Sequence, residues 1–90
     1  MTDAYERGTV VDVVVTGRTS YGVLVNAPSG EPGWIESGFL DDVAVRLEDW
    51  PQIGTVLTAV VLGPRTRDGR WRFCARPSYV ASARAAQDPS

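Results

Sequence analysis

Four arginines crowd into one short stretch of the second half: Arg65, Arg67, Arg70 and Arg72. A guanidinium group makes paired hydrogen bonds to phosphate or carboxylate and stacks on flat rings. Four of them on one loop and one strand face would attract a phosphate backbone or an acidic protein surface. Their plainer role is a solvated face, tied by ion pairs to the acidic first half. Tyr21 offers a second kind of chemistry. Gly22 follows it and opens the surface on which a base could lie against the ring. Such stacking is worth about 1–3 kcal/mol per base and tolerates any base. The plainer role of Tyr21 is to cover the edge of a core.

Catalytic chemistry is poorly provided for. The chain has no histidine, which removes the commonest general base and the usual metal ligand. Its single cysteine, Cys74, makes neither an internal disulfide nor a cysteine zinc cluster. It reads as a small filler. Asp41-Asp42 and Glu48-Asp49 are adjacent carboxylates. Acid–base work would need them across a cleft with separated pKa values. Roles in loops and helix caps explain them more simply. The expectation is a protein with no enzymatic activity, no cofactor and no metal.

Composition narrows the class further. Ninety residues, 43% of them hydrophobic, suit one small soluble domain. A chain of this length buries roughly 60–65% of the surface it exposes when unfolded. No apolar run reaches the roughly 20 residues of a membrane helix. The opening MTDAYERG is acidic and polar, unlike a secretory signal, so the default location is the cytoplasm. Net charge is −2, yet the halves differ. Residues 1–50 hold nine acids against three arginines, a net of −6. Residues 51–90 hold six arginines against two acids, a net of +4. One basic patch is therefore compatible with an acidic chain. All nine cations are arginine, which genome composition alone would explain.

The elements that must position these residues are strands. The run VVDVVV places a strand over 8–16, β-branched enough to be covered on both faces. A turn over 17–20 leads to an alternating strand over 21–26. The loop PSGEPG, with two prolines and two glycines, reverses the chain into a short strand over 33–36. SGFLDD suits a helical turn, and VAVRLEDW fits strand or helix until Pro51 ends it. A fourth strand covers 55–62, an arginine-dense loop 63–69 and a fifth strand 70–75. In that fifth strand Trp71 and Phe73 share one face, and Arg70, Arg72 and Cys74 the other. Alanine-rich 79–87 suits a short terminal helix, and the closing DPS is expected to fray. The whole predicts an all-β, five-stranded Greek-key barrel of the OB type over 1–78, with a tail over 79–90. An SH3-like barrel is the structural rival.

In order, the motifs resemble the S1 domain, an OB-fold RNA-binding module. They are Gly8-Thr9-Val10, then Tyr21-Gly22-Val23-Leu24-Val25, then Gly30-Glu31-Pro32-Gly33-Trp34-Ile35. Gly54-Thr55-Val56-Leu57-Thr58-Ala59-Val60 and Arg70-Trp71-Arg72-Phe73-Cys74-Ala75-Arg76 complete the set, so the resemblance spans about residues 5–78. It implies that single-stranded RNA binds across the second and third strands, helped by the fifth and its loops. Tyr21 and Arg70 keep two of the family's contact positions. Leu24 stands where a second aromatic is common, Glu36 where the family has histidine, and Gly38 where it has serine.

The resemblance and the arginine cluster together nominate Tyr21, Leu24, Glu36, Arg65, Arg67, Arg70 and Arg72 as an RNA-binding surface. Trp71 and Phe73 are assigned to the core, and Trp50 to one barrel end. Trp34 is assigned to core packing, with a partly exposed protein contact as the alternative. The competing function is a protein-interaction module for a basic partner, favoured by net acidity, by Glu36 and by exposure of Trp34. A monomer is the default state.

Overall fold

The β-branched run of the first strand pairs with two neighbours, and this double pairing closes the sheet. The computed structural model describes residues 5–63 and 65–87. The first four residues, Pro64 and the closing DPS lie outside the described residues. β1 spans Val10–Arg18, β2 Gly22–Asn26, β3 Pro32–Glu36, β4 Val56–Val61 and β5 Trp71–Cys74. They form a closed barrel in the order β1-β2-β3-β5-β4. All neighbours are antiparallel except β3 and β5, which run parallel. This is the five-stranded OB-fold barrel expected from the sequence.

β1 begins and ends two residues later than its valine run suggested. The hairpin turn is tighter than the predicted loop, with the Thr19 amide donating to the Gly22 carbonyl at 2.9 Å. Val10–Val14 pair with β4, and the later residues pair with β2. The β2 register slips between Val15 and Gly17, a bulge that bends β1 from one partner to the other.

Strand alternation fills the interior. Val13, Val15, Val23, Val25, Ile35, Ala59, Val61, Trp71 and Phe73 form one buried cluster with Leu40 and Trp50. Gly33 makes room for Phe73. A Cβ at Gly33 would stand 2.8 Å from Phe73 Cδ2 and 2.9 Å from Val25 Cγ2. Trp50 is buried ahead of β4, and its Nε1 donates to the Val45 carbonyl at 3.2 Å. Trp71 donates through Nε1 to Glu31 at 2.7 Å and meets the Tyr5 ring edge-on at 5.6 Å.

Between β3 and β4, Ser37–Phe39 makes the expected helical turn. Of VAVRLEDW, only Leu47–Asp49 is helical, as a second short turn. The closed sheet has no free edge for a further strand. α1, Pro77–Gln87, starts earlier than the alanine run because Pro77 suits a first helical turn. It packs on β4 and β1. Val60, Cys74 and Val80 are buried there, outside the central cluster. Cys74 thus keeps the outward side of β5 yet lies under cover. Burial pushes its thiol pKa up, so it stays protonated.

The start of α1 is held from another element. Asp42 accepts hydrogen bonds from the Ser78 amide at 3.0 Å and from the Ser78 hydroxyl, and pairs with Arg76 Nε at 3.4 Å. The Ser78 hydroxyl is the main reason its carboxyl titrates below the ordinary value; the Ser78 amide and Arg76 add to this.

Two outcomes test these contacts. Gly33→Ala should destabilise by about 1–3 kcal/mol in urea unfolding, as overpacking does, while Gly38→Ala, with open space around it, stays within about 0.5 kcal/mol. The second concerns acid. A depressed folded pKa gives stability that is complete above the unfolded value, about 3.9, and drains as pH falls through the folded value. The gap in melting temperature between wild type and Asp42→Asn should therefore be full at pH 6 and narrow as the pH falls below the ordinary carboxylate value. A pH-independent gap would remove Asp42 from this role.

Candidate functional site

The outward residues of β2, β3 and β5 form rows across the barrel. In one row Leu24 stands opposite Trp34, and Trp34 beside Arg72. In the next, Gly22 stands opposite Glu36. Trp34 is the correction here. Gly33 and Ile35 point inward and are buried, so alternation sends Trp34 outward, where it is half-buried. Gly22 lets its indole lie across β2. A Cβ on Gly22 would stand 3.0 Å from Trp34 Cη2 and would overlap the Ile35 carbonyl oxygen.

Beside the indole runs a groove of about 340 Å³, lined by Thr19, Tyr21, Leu24, Trp34, Thr66, Asp68 and Arg70. Tyr21 is 74% exposed. Its backbone is held on both sides: its amide donates to Thr19 Oγ1 at 3.1 Å, and its carbonyl accepts from the Ser37 amide at 2.7 Å. Its ring and hydroxyl have no partner among the described residues. The main chain at position 21 is fixed and the ring is available.

Arg70 forms the opposite wall. It is half-buried, donates through Nη1 to the Gly33 carbonyl at 3.2 Å and lies 3.7 Å from Asp68 through Nε. The loop before it is tight. The Thr66 amide donates to the Arg70 carbonyl at 2.7 Å, the Arg70 amide to Thr66 Oγ1 at 3.0 Å, and the Thr66 hydroxyl to Asp68. That hydroxyl, then the Asp68 amide and Arg70, hold the Asp68 carboxyl below its ordinary pKa. The groove therefore carries one cation and one anion over an apolar floor.

Of the seven nominated residues, Tyr21, Leu24 and Arg70 converge on this groove. Arg67 and Glu36 are exposed nearby but do not line it. Arg65 turns elsewhere: it lies 3.6 Å from Glu31, with its guanidinium 4.6 Å above the Trp71 ring. Arg72 lines a separate concavity with Arg7, Phe39, Leu62, Gly63 and Tyr79. Trp34, Thr19, Thr66 and Asp68 belong to the groove and lie outside the predicted set. For Trp34 the usable signal was parity with the inward Gly33 and Ile35. Among the described residues no three His, Cys, Asp or Glu gather as a metal site, and no helix is long and apolar enough to cross a membrane.

No protein family matches the sequence, and no curated protein does. Solved structures match the fold at low identity. The alpha subunit of aIF2 from Pyrococcus abyssi superposes with a TM-score of 0.73 at 20% identity, over 86% of this chain and 31% of that one. A chain of the a/eIF2alpha-aDim2p-rRNA complex from Pyrococcus horikoshii OT3 gives 0.74 at 19% identity, over 94% and 54%. GSP13 from Bacillus subtilis gives 0.70 at 21% identity, over 100% and 64%. The chain thus spans between about a third and two thirds of the length of these structures.

The tryptophans report on the groove directly. Trp50 and Trp71 are 6% and 3% exposed, whereas Trp34 lines open space. Trp34→Phe should remove most of the emission that acrylamide or iodide can quench. Quenching that persists at the wild-type level would mean that the indole is not where the groove requires it.

Proposed function

We propose that this barrel is a single-stranded RNA-binding module of the S1 type that acts by binding and not by catalysis. The observation that carries the reading is the convergence of Tyr21, Trp34, Leu24 and Arg70 on one open groove across β2 and β3. Bases stack on the exposed Tyr21 ring and on the edge of the Trp34 indole. Arg70, pinned by the Gly33 carbonyl, presents its remaining donors to a phosphate or a base edge. Arg67, exposed on the loop tip, meets the backbone as the strand leaves the groove. The rRNA complex among the similar structures supports RNA as the ligand class.

The charge balance shapes the binding. Asp68 offsets Arg70, so stacking supplies most of the affinity in the groove, and recognition tolerates many sequences. A protein-interaction role for a basic partner draws its support from Glu36 on the same outer face and Asp68 within the groove.

Fluorescence anisotropy with a labelled single-stranded oligonucleotide tests the choice. Tyr21→Ala and Trp34→Ala should each weaken binding by about 1–3 kcal/mol. With two to four phosphates engaged, log K should fall against log salt with a slope of about −1.4 to −2.8. No detectable binding at high micromolar protein in low salt, together with nuclease-resistant capture of a basic protein, would transfer the function to the second reading.

A further inference from the structure

Past Trp34 the barrel carries a second concavity, of about 420 Å³, lined by Arg7, Phe39, Leu62, Gly63, Arg72 and Tyr79. Arg72 stands beside Trp34 in the parallel register of β3 and β5, so this hollow adjoins the groove. Its electrostatics are the reverse of the groove's. Among the described residues no carboxylate lines it. Neither Arg7 nor Arg72 has an ion pair among the described residues, whereas Arg46, Arg65, Arg70 and Arg76 each have one. Two unneutralised guanidinium groups thus share one hollow with two aromatic rings. Phe39 and Tyr79 lie 6.2 Å apart, and Tyr79 is 41% exposed. The Arg76 guanidinium lies 5.3 Å over the Tyr79 ring.

We infer that this hollow is a second docking point for the same nucleic-acid strand, taking the phosphates of nucleotides beyond those stacked in the groove. The inference rests on the proposed RNA-binding role. The division of labour follows from charge. The groove has an apolar floor and a compensated cation, which suits bases. The hollow has two free cations, which suit phosphodiesters, and the Tyr79 ring gives a base or sugar something to rest on. It is built from the segment before β1, the turn after β3, the end of β4, β5 and α1. It therefore depends on α1 being docked on the barrel.

The length of the ligand separates the two sites. OB-fold barrels cover about 4–16 nucleotides, so oligouridylates of about four and about twelve residues compare the groove alone with groove and hollow together. Arg7→Gln/Arg72→Gln keeps side-chain length and removes both charges. It should leave the affinity for the short oligomer within about twofold, weaken the long one about tenfold or more, and make its salt slope shallower by about 1.4, two contacts at about 0.7 each. Amide shifts at Phe39 and Gly63 should appear with the long oligomer and not with the short one. Unchanged long-oligomer affinity and slope in the double variant would overturn the second docking point and leave the groove intact. Loss of both oligomers from the wild type would overturn the RNA-binding reading and this inference with it. Binding of an acidic peptide that depends on Arg7 and Arg72, with oligonucleotides indifferent to them, would assign the hollow to a protein ligand instead.

Discussion

Phe73 packs against β3 at the point where Gly33 has no side chain, and that approach governs the surface as well as the core. Without it, the Phe73 ring and any Cβ at position 33 would compete for the same space. With it, β5 sits alongside β3 in a parallel register that puts Gly33 beside Trp71 and Trp34 beside Arg72. Parallel pairing of two short strands contributes few hydrogen bonds. The interior contact is therefore what holds this seam of the barrel. Because alternation has a period of two, fixing Gly33 inward fixes Trp34 outward. A packing constraint inside the barrel thus decides which aromatic side chain is offered outside it.

The elements were legible in the sequence where local chemistry decides them. The prolines and glycines of PSGEPG marked the reversal before β3, and the valine run marked β1. Trp71 and Phe73 could be assigned to the core because they alternate with arginines. What was not legible depended on partners distant in sequence. The two-residue offset of β1 follows from a bulge that serves two neighbouring strands. The family resemblance suggests a core-facing or rim position for Trp34; its exposure follows from Gly33 and Ile35 facing inward. For Arg65 the sequence leaves both phosphate contact and a salt bridge to the acidic first half open, and only the fold brings Glu31, far earlier in the chain, beside it.

The contrast between an acidic first half and a basic second half is met in part within the fold. Arg65 meets Glu31 and Arg76 meets Asp42, each pair joining the two halves. Exposed pairs of this kind contribute little to stability, typically about 0–1 kcal/mol. Their larger effect is on what remains. Among the described residues, five arginines have no ion pair: Arg7 and Arg72 share one hollow, Arg67 sits on a loop tip, Arg84 lies on α1, and Arg18 donates to the Leu47 carbonyl. The map of unpaired cations, and not net charge, is what an anionic ligand encounters within a Debye length of about 8–10 Å. A chain with net charge −2 can therefore present a locally positive path.

A barrel of this kind is shared with solved structures only about 20% identical to this chain, so the architecture by itself does not select a ligand. Selection comes from which parts of the outer surface the chain leaves uncovered. α1 occupies the β4 side and buries Val60 and Cys74. Its anchoring through Asp42 and Ser78 also sets Tyr79 against Phe39, at the rim of the β3–β5 face. The helix therefore does two things at once. It closes one side of the barrel, and it extends the open side by one aromatic ring. The side that stays open carries the rings of Tyr21 and Trp34 at one end and the unpaired charges of Arg7 and Arg72 at the other. What the open side offers a ligand is therefore an ordered sequence, an apolar aromatic stretch followed by a cationic one.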